Sequence, residues 1–372
     1  MRPLEGVRVI DFSTLLPGPL ATLLLAEAGA EVIKIERPGG DEMRRYGPPL
    51  GEAGVAFALL NRGKRSVVLD LKSQDALATL LPLIDGADVV VEQFRPGVMD
   101  RLGLGHAALS ARNPRLVYCA ITGYGQAGPK AGVAAHDLNY VADSGLLSLA
   151  AGGDGAPVVP AALVADIAGG AYPAVINILL ALQRRAVTGT GCRLDVAMSD
   201  NLAPFLFWAL GSGLAAGQWP TPGGDLFTGG SPRYRLYRTA DDRFVATAAL
   251  EDRFWANFCD AVGLAAAMRD DARDPAATAA AVADLIRGRT AAEWAAAFAG
   301  RDVCCCVVAT VEEALADPHL RARGLLDRRL AGGGREITAL PVPIDAVFRG
   351  AVGSSGYPAL GDANGLLPSV RP

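Results

Sequence analysis

Over the first third of the chain, strand-like apolar runs alternate with helix-like ones, and this alternation restricts the fold more than any other feature. GVRVIDFS (6–13) predicts a strand that ends in an acid and a hydroxyl. PGPLATLLLAEAGA (17–30) predicts a helix, with Pro17 and Pro19 near its start, where a missing N–H is tolerated, and a stop near Gly29. EVIKIE (31–36), RSVVLDL (65–71), DVVVEQF (88–94) and LVYCAITGYG (116–125) predict further strands. Between them SQDALATLLPLIDGA (73–87) predicts a helix opened by Ser73 as N-cap. Such alternation builds βαβ units on a parallel sheet, so the expected class is α/β. In sheets of this kind ligands sit beyond the carboxyl ends of the strands.

The pattern changes after about residue 187. GTGCRLDVAMSDNL (189–202) leads into a helical, aromatic stretch to Trp208, and 217–232 is rich in Gly and Pro. RYRLYRTADDRFVATAAL (233–250) predicts an antiparallel hairpin turning at ADD. EDRFWANFCDAVGL (251–264) predicts a helix beginning at Glu251. The expected division is a large domain over 1–200, a linker over 201–224, a small α/β domain over 225–315, and a segment over 316–372 that returns to the large domain. AYPAVINILLALQ (171–183) is too short for a membrane span and reads as a buried helix.

Charge excludes one broad class. With 35 Lys and Arg against 39 Asp and Glu, the net of −4 is wrong for a general nucleic-acid binder. No apolar leader precedes the first strand, so a cytoplasmic protein with no membrane partner is the expectation. None of the 6 cysteines forms a CxxC pair, and VCCCVVA (303–309) reads as a buried strand, so no metal site is expected. There is no Walker loop, no GxGxxG after the first strand and no GxSxG.

Cations cluster at predicted strand ends: Arg37, Arg62, Lys64, Arg65 and Arg95. Each alone reads as solvated charge; together, beside Gly-Pro turns, they suit a polyanionic ligand such as a nucleotide phosphate. Only 3 histidines are present. His136 stands in the small-residue loop AAHDLNY (134–140), whereas His106 and His319 flank helices and read as surface residues. Taken singly, His136 fits a structural loop histidine, Asp166 a helix N-cap, and Glu251 a first-turn acid favoured by the helix dipole.

GVRVIDFSTLLPGPLATLLLAEAGAEVIKIERPGGD, NRGKRSVVLDLKS, VVVEQFRPGV, ITGYGQAGP and HDLNY together resemble the family III CoA-transferases, the CaiB/BaiF group, from residue 4 to about 350. The resemblance implies a Rossmann-like large domain, a smaller domain and an interlocked homodimer. It implies an acyl-CoA thioester as ligand, contacted by Arg37, Arg62, Lys64, Arg95, Tyr124 and Asp137, and no separate cofactor. The family holds two chemistries. Its transferases use an Asp nucleophile and usually carry a non-titrating residue before the Asp of the HDLNY loop. Its 2-methylacyl-CoA racemases carry His there and use general bases on either side of the α-carbon. His136, Asp166 in VADIAGG and Glu251 in ALEDRFW match the racemase positions. Ala135 replaces a Gly, and Asp252 and Arg253 stand where racemases tend to have Pro and Gln. The resemblance therefore implies α-proton abstraction and reprotonation by His136 and Asp166, with Glu251 orienting the imidazole. A CoA-transferase with Asp166 as nucleophile, or a non-catalytic acyl-CoA-binding protein, are the alternatives.

Overall fold

Parallel strands form the core of the larger of two units, the inner ones buried on both faces as their apolar runs require. The computed structural model describes residues 1–152 and 154–368. In chain order the elements are β1 (Arg8–Asp11), α1 (Pro17–Glu27), β2 (Glu31–Glu36), the short pair β3 (Pro49–Leu50) and β4 (Ala53–Gly54), α2 (Val55–Asn61), β5 (Arg65–Val68), α3 (Ala76–Asp85), β6 (Val89–Glu92), α4 (Val98–Arg101), α5 (His106–Arg112), β7 (Val117–Thr122) and α6 (Asp137–Asp143). A π-helical stretch, Ala165–Ala171, runs into α7 (Tyr172–Thr188) and is followed by β8 (Cys192–Ala197).

The six-stranded sheet has the order β5-β2-β1-β6-β7-β8, and every neighbouring pair is parallel. The chain winds outward from β1 to β5, then returns to β6 and winds the other way. The direction reverses between β1 and β6, and a crevice opens at their carboxyl ends. On one face Ile10, Ile33, Val67 and Val90 pack with Leu80 and Ile84 of α3 and Leu109 of α5. Helices α1 and α7 pack against the strands from the other side.

Two compact units result. One comprises Met1–Ser144, Pro160–Phe205 and the chain from His319; the other comprises Gly145–Val159 and Leu206–Pro318. The second unit contains α8 (Phe207–Ala216), the antiparallel pair β9 (Tyr234–Arg238) and β10 (Phe244–Ala248), α9 (Asp252–Val262), α10 (Pro275–Arg287), α11 (Ala291–Phe298) and β11 (Cys305–Val307). Its core is aromatic: Trp255 stacks on Phe258, and Trp294 on Phe298.

Several sequence expectations are corrected. The α3 helix starts at Ala76 rather than Ser73, whose hydroxyl donates instead to the Asp70 carbonyl at 2.8 Å. The expected linker over 201–224 contains the helix α8. The Cys304–Cys306 run is not a buried strand. Only Cys305–Val307 pairs, at a sheet edge, with Cys304 and Cys306 exposed. The helix reaching Thr188 is buried on one face only, leaving Ile176, Leu180 and Val187 exposed, and over Ala165–Thr188 it is long and apolar enough to cross a membrane by length and composition.

Candidate active site

A cavity of about 380 Å³ lies at the reversal between β1 and β6. Its walls come from the turn after β1 (Leu15, Pro17), the segment after β6 (Gln93–Pro96), the end of β7 (Thr122–Tyr124) and the start of α6. His136 and Asp166 both line it. The two residues are thirty positions apart in sequence and share one chamber because α6 and the π-helical stretch pack together.

Each is positioned by its neighbours. The exposed His136 stands at the N-cap position of α6 with extended backbone, φ −128° and ψ 178°, and its N–H donates to Asn139 Oδ1 at 3.0 Å. Tyr140, one turn on, is buried and donates from its hydroxyl to the Ala135 carbonyl at 2.7 Å, which fixes the loop from behind. Gly123 permits this approach: a Cβ there would lie 2.4 Å from the Tyr140 hydroxyl oxygen. Gly169 plays the same part for Asp166, since a Cβ would meet the Met198 carbonyl at 2.4 Å and hold the helix off β8.

Asp166 is half-buried, and its backbone N–H donates to Asp137 Oδ1 at 2.9 Å. Burial, and then the nearby Asp137 carboxylate, push its carboxyl up to about 6, with His136 opposing the shift. A carboxyl raised into that range exchanges a proton readily near neutral pH, as an acid–base catalyst requires. Asp137 itself is 7% exposed, and its Oδ1 accepts the Asp166 N–H. The helix start offers no ready anion site, because the Asp166 N–H is taken by Asp137 and the Ile167 N–H by the Leu163 carbonyl. Tyr124 lines the cavity, but its hydroxyl is bound to Asp143 at 2.5 Å.

A second cavity, of about 480 Å³, adjoins the first and shares Leu15 and Phe94 with it. Its floor is apolar, from Phe12, Ile35, Leu69 and Leu71, and Arg37 and Lys72 stand at its edge. Arg37 is exposed and pairs with Glu42 at 2.8 Å. Arg95 is exposed on the first cavity. Leu15, between the two cavities, holds the left-handed φ of 61°, strained for a leucine. The turn is over-determined from beneath: Asp11 binds the Ser13 N–H at 2.9 Å and Lys34 grips the Ser13 carbonyl at 2.6 Å.

Three members of the expected cationic rim are not on it: Arg65 opens β5 and pairs with Glu31, the first residue of β2, at 2.8 Å, at the amino ends of the strands. Arg62 is 1% exposed; it pairs with Glu27 at 2.8 Å and donates to the Leu340 carbonyl at 2.8 Å. Lys64 is buried, with its ammonium against Asp11 (3.3 Å), the Pro19 carbonyl (2.9 Å), Thr22 (2.7 Å) and Asn61 (2.8 Å). Both have their donors engaged and tie the sheet to its helices. Burial lowers the Lys64 ammonium to about 8 against the pull of Asp11. For Asp11, burial alone would raise the carboxyl, but Lys64 and Lys34 outweigh it and hold the group below the usual range.

Glu251 belongs to the second unit, where it is exposed at the start of α9 and makes no side-chain cap bond. His106 is not a surface ring: it is half-buried against Tyr118, with ring centroids 5.8 Å apart. Among the described residues no group of three His, Cys, Asp or Glu is arranged to hold a metal ion. The reading of the sequence missed Lys72, Leu15, Gln93 and Phe94 as cavity residues; the one available signal was that Gln93 and Phe94 directly precede Arg95 at a strand end.

The sequence profile of CoA-transferase family III matches residues 4–364. Alpha-methylacyl-CoA racemase of Homo sapiens is 35% identical over 348 residues, 92% of this chain and 86% of that protein. Succinate–glutarate CoA-transferase of Agrobacterium fabrum is also 35% identical, over 92% of this chain and 89% of that protein. Among solved structures, Rv3272 of Mycobacterium tuberculosis superposes with a TM-score of 0.85 at 30% identity over 99% of both chains. A CaiB/BaiF family protein of Brucella suis gives 0.83 at 28% identity over 98% of both. With a parallel-sheet crevice of the right topology and a match along nearly its whole length, the chain belongs to CoA-transferase family III, whose members include both racemases and CoA-transferases.

Proposed function

We propose that the protein interconverts the (2R) and (2S) forms of 2-methylacyl-CoA thioesters. The observation that carries this reading is that His136 lines one cavity with Asp166, whose carboxyl burial raises to about 6. In one direction the ionised Asp166 takes the α-proton, and the imidazolium of His136 returns a proton to the opposite face. In the other direction the neutral imidazole takes the proton and the protonated Asp166 returns one. Each turnover leaves the pair with one proton in total, moved from one group to the other, so the two groups must hold it with comparable affinity. The enolate oxygen needs a donor, and the buried Thr122 hydroxyl on the cavity wall has no partner among the described residues.

The nucleotide end of CoA is assigned to the second cavity, with its phosphates at Arg37 and Lys72 and the pantetheine arm passing Leu15 and Phe94 towards the thioester. Arg37→Ala and Arg95→Ala are each expected to raise KM about 3- to 10-fold, with a smaller change in kcat, because such contacts are alike in ground and transition states. The KM should also rise with salt. Unchanged affinity for free CoA in both variants would remove this assignment.

The exposed apolar faces, Ile176 and Leu180 on α7 and Phe207 and Leu214 on α8, support the further proposal that the protein is an interlocked homodimer. Sedimentation at micromolar concentration tests it: a single species at the monomer mass rules it out.

The competing reading is a CoA-transferase with Asp166 as nucleophile, favoured by the identity to enzymes of that activity. A single incubation separates them: a 2-methylacyl-CoA in deuterated water, with no acceptor acid, with hydroxylamine present, followed by mass spectrometry. Racemisation gives deuterium at the α-carbon and no adduct on the Asp166 peptide. An adduct there without α-exchange establishes the transferase instead.

A further inference from the structure

A small polar cavity of about 110 Å³ shares Arg95 with the candidate active site but not His136. Glu92, the last residue of β6, stands in it 4% exposed. Its Oε2 accepts the Phe94 N–H at 2.7 Å, and its Oε1 accepts the Tyr118 hydroxyl at a long 3.4 Å. Phe94 walls both larger cavities, and Arg95 walls the first of them as well as this one. A two-residue segment that shapes three cavities is thus fastened by one buried carboxylate. The mechanism leaves Glu92 unused, and no contact assigned to the ligand involves it.

We propose that Glu92 is a positioning residue: the hydrogen bond that its carboxylate accepts from the Phe94 N–H sets the Phe94–Arg95 wall, and with it the affinity of the groove for its ligand. The inference about the wall rests on geometry alone, and its effect on ligand rests on the acyl-CoA reading above. Burial pushes the Glu92 carboxyl up to about 7, against the Phe94 N–H and Tyr118, which lower it. The charged and titratable groups around it are Tyr118 and Cys119 of β7, Asp100 of α4, His106 of α5, Arg193 of β8 and Arg95. Arg193 is turned to Gln126 Oε1 at 3.0 Å and draws the carboxyl down only weakly, while Asp100 raises it. A charged carboxylate accepts an N–H more strongly than a neutral carboxyl does, so the clasp tightens as pH rises through neutrality.

The experiment uses the full chain labelled with ¹⁵N-phenylalanine, with the Phe94 amide assigned by its loss in Phe94→Leu. The Phe94 amide should move downfield between pH 6 and 8 with a midpoint near 7, and this movement should be absent in Glu92→Gln. A Phe94 amide that does not titrate, or that titrates equally in Glu92→Gln, overturns the proposal. Calorimetric titration with free CoA gives the second reading. At pH 8 Glu92→Gln should bind about 3- to 10-fold more weakly than the wild type, and at pH 6 the two should converge, because the wild-type carboxyl is then neutral as well. A constant ratio across pH also counts against the proposal. Should the amide titrate as expected while neither protein binds CoA, the clasp stands and the acyl-CoA reading fails, so the two failures are distinct. Because Gln keeps a carbonyl acceptor and similar volume, a merely structural role for Glu92 leaves no pH-dependent difference.

Discussion

Replacing His136 with alanine lowers racemisation about 10²- to 10⁴-fold, the contribution of a positioned acid–base group, and abolishes α-proton exchange for one enantiomer only. The second half of this expectation is the sharper one. With His136 gone, Asp166 still faces the proton of the other enantiomer and can remove it and return a deuteron to the same face. Exchange without inversion then survives on that side. The loop remains held without the ring, because Asn139 binds the His136 backbone N–H and Tyr140 binds the Ala135 carbonyl. Deuterium uptake by each pure enantiomer, followed with the optical purity of recovered thioester, checks this directly. Near-normal racemisation in the variant would falsify the role given to His136, and equal loss of exchange for both enantiomers points to a single-base mechanism.

The parallel sheet was legible because buried strands such as Val89–Glu92 and Val117–Thr122 read as continuous apolar runs bounded by turns. The charges were less legible. EVIKIE contains Lys34 and Glu36, both buried, and nothing local to the sequence says so. Arg62 and Lys64 look like surface cations because their partners come from remote elements: Glu27 lies 35 residues from Arg62, and Asp11 lies 53 from Lys64. A charge cluster at strand ends therefore predicts the rim but cannot say which side chains turn inward, since that depends on partners the tertiary fold supplies. The assignment of 145–159 to the second unit has no periodic signal either, the segment being rich in Gly and Ala. For the site, His136 and Asp166 were legible by resemblance, and the cavity joins them. The bond from the Asp166 N–H to Asp137 carried no signal, because the residue type does not reveal it. Glu92 carried no signal at all: an acid at a strand end resembles any other until its burial and its bond to Phe94 are seen.

Asp166→Asn is expected to lower racemisation by a similar 10²- to 10⁴-fold and, at the same time, to make the folded protein more stable above pH 6. The wild-type carboxyl titrates near 6 when folded, against an ordinary value of 3.8. Between those limits the unfolded chain has released its proton and the folded chain has not, so the folded state binds more protons and loses stability as pH rises. Above about 6 the loss is complete. A shift of roughly 2 units corresponds to about 3 kcal/mol, and solvent screening of a half-buried group reduces it to about 1–2 kcal/mol. Asparagine keeps the shape, cannot ionise, and leaves the bond from the backbone N–H to Asp137 in place. Denaturant unfolding at pH 8 should therefore favour the variant by about 1–2 kcal/mol, and at pH 4, close to the unfolded chain's own titration, by much less. A variant no more stable than wild type at pH 8, or equally favoured at both values, shows that the carboxyl is not held at the raised value. A carboxyl kept in a place that costs stability at neutral pH is explained by its readiness to take and return a proton, since a purely structural residue at this position would be better as an amide.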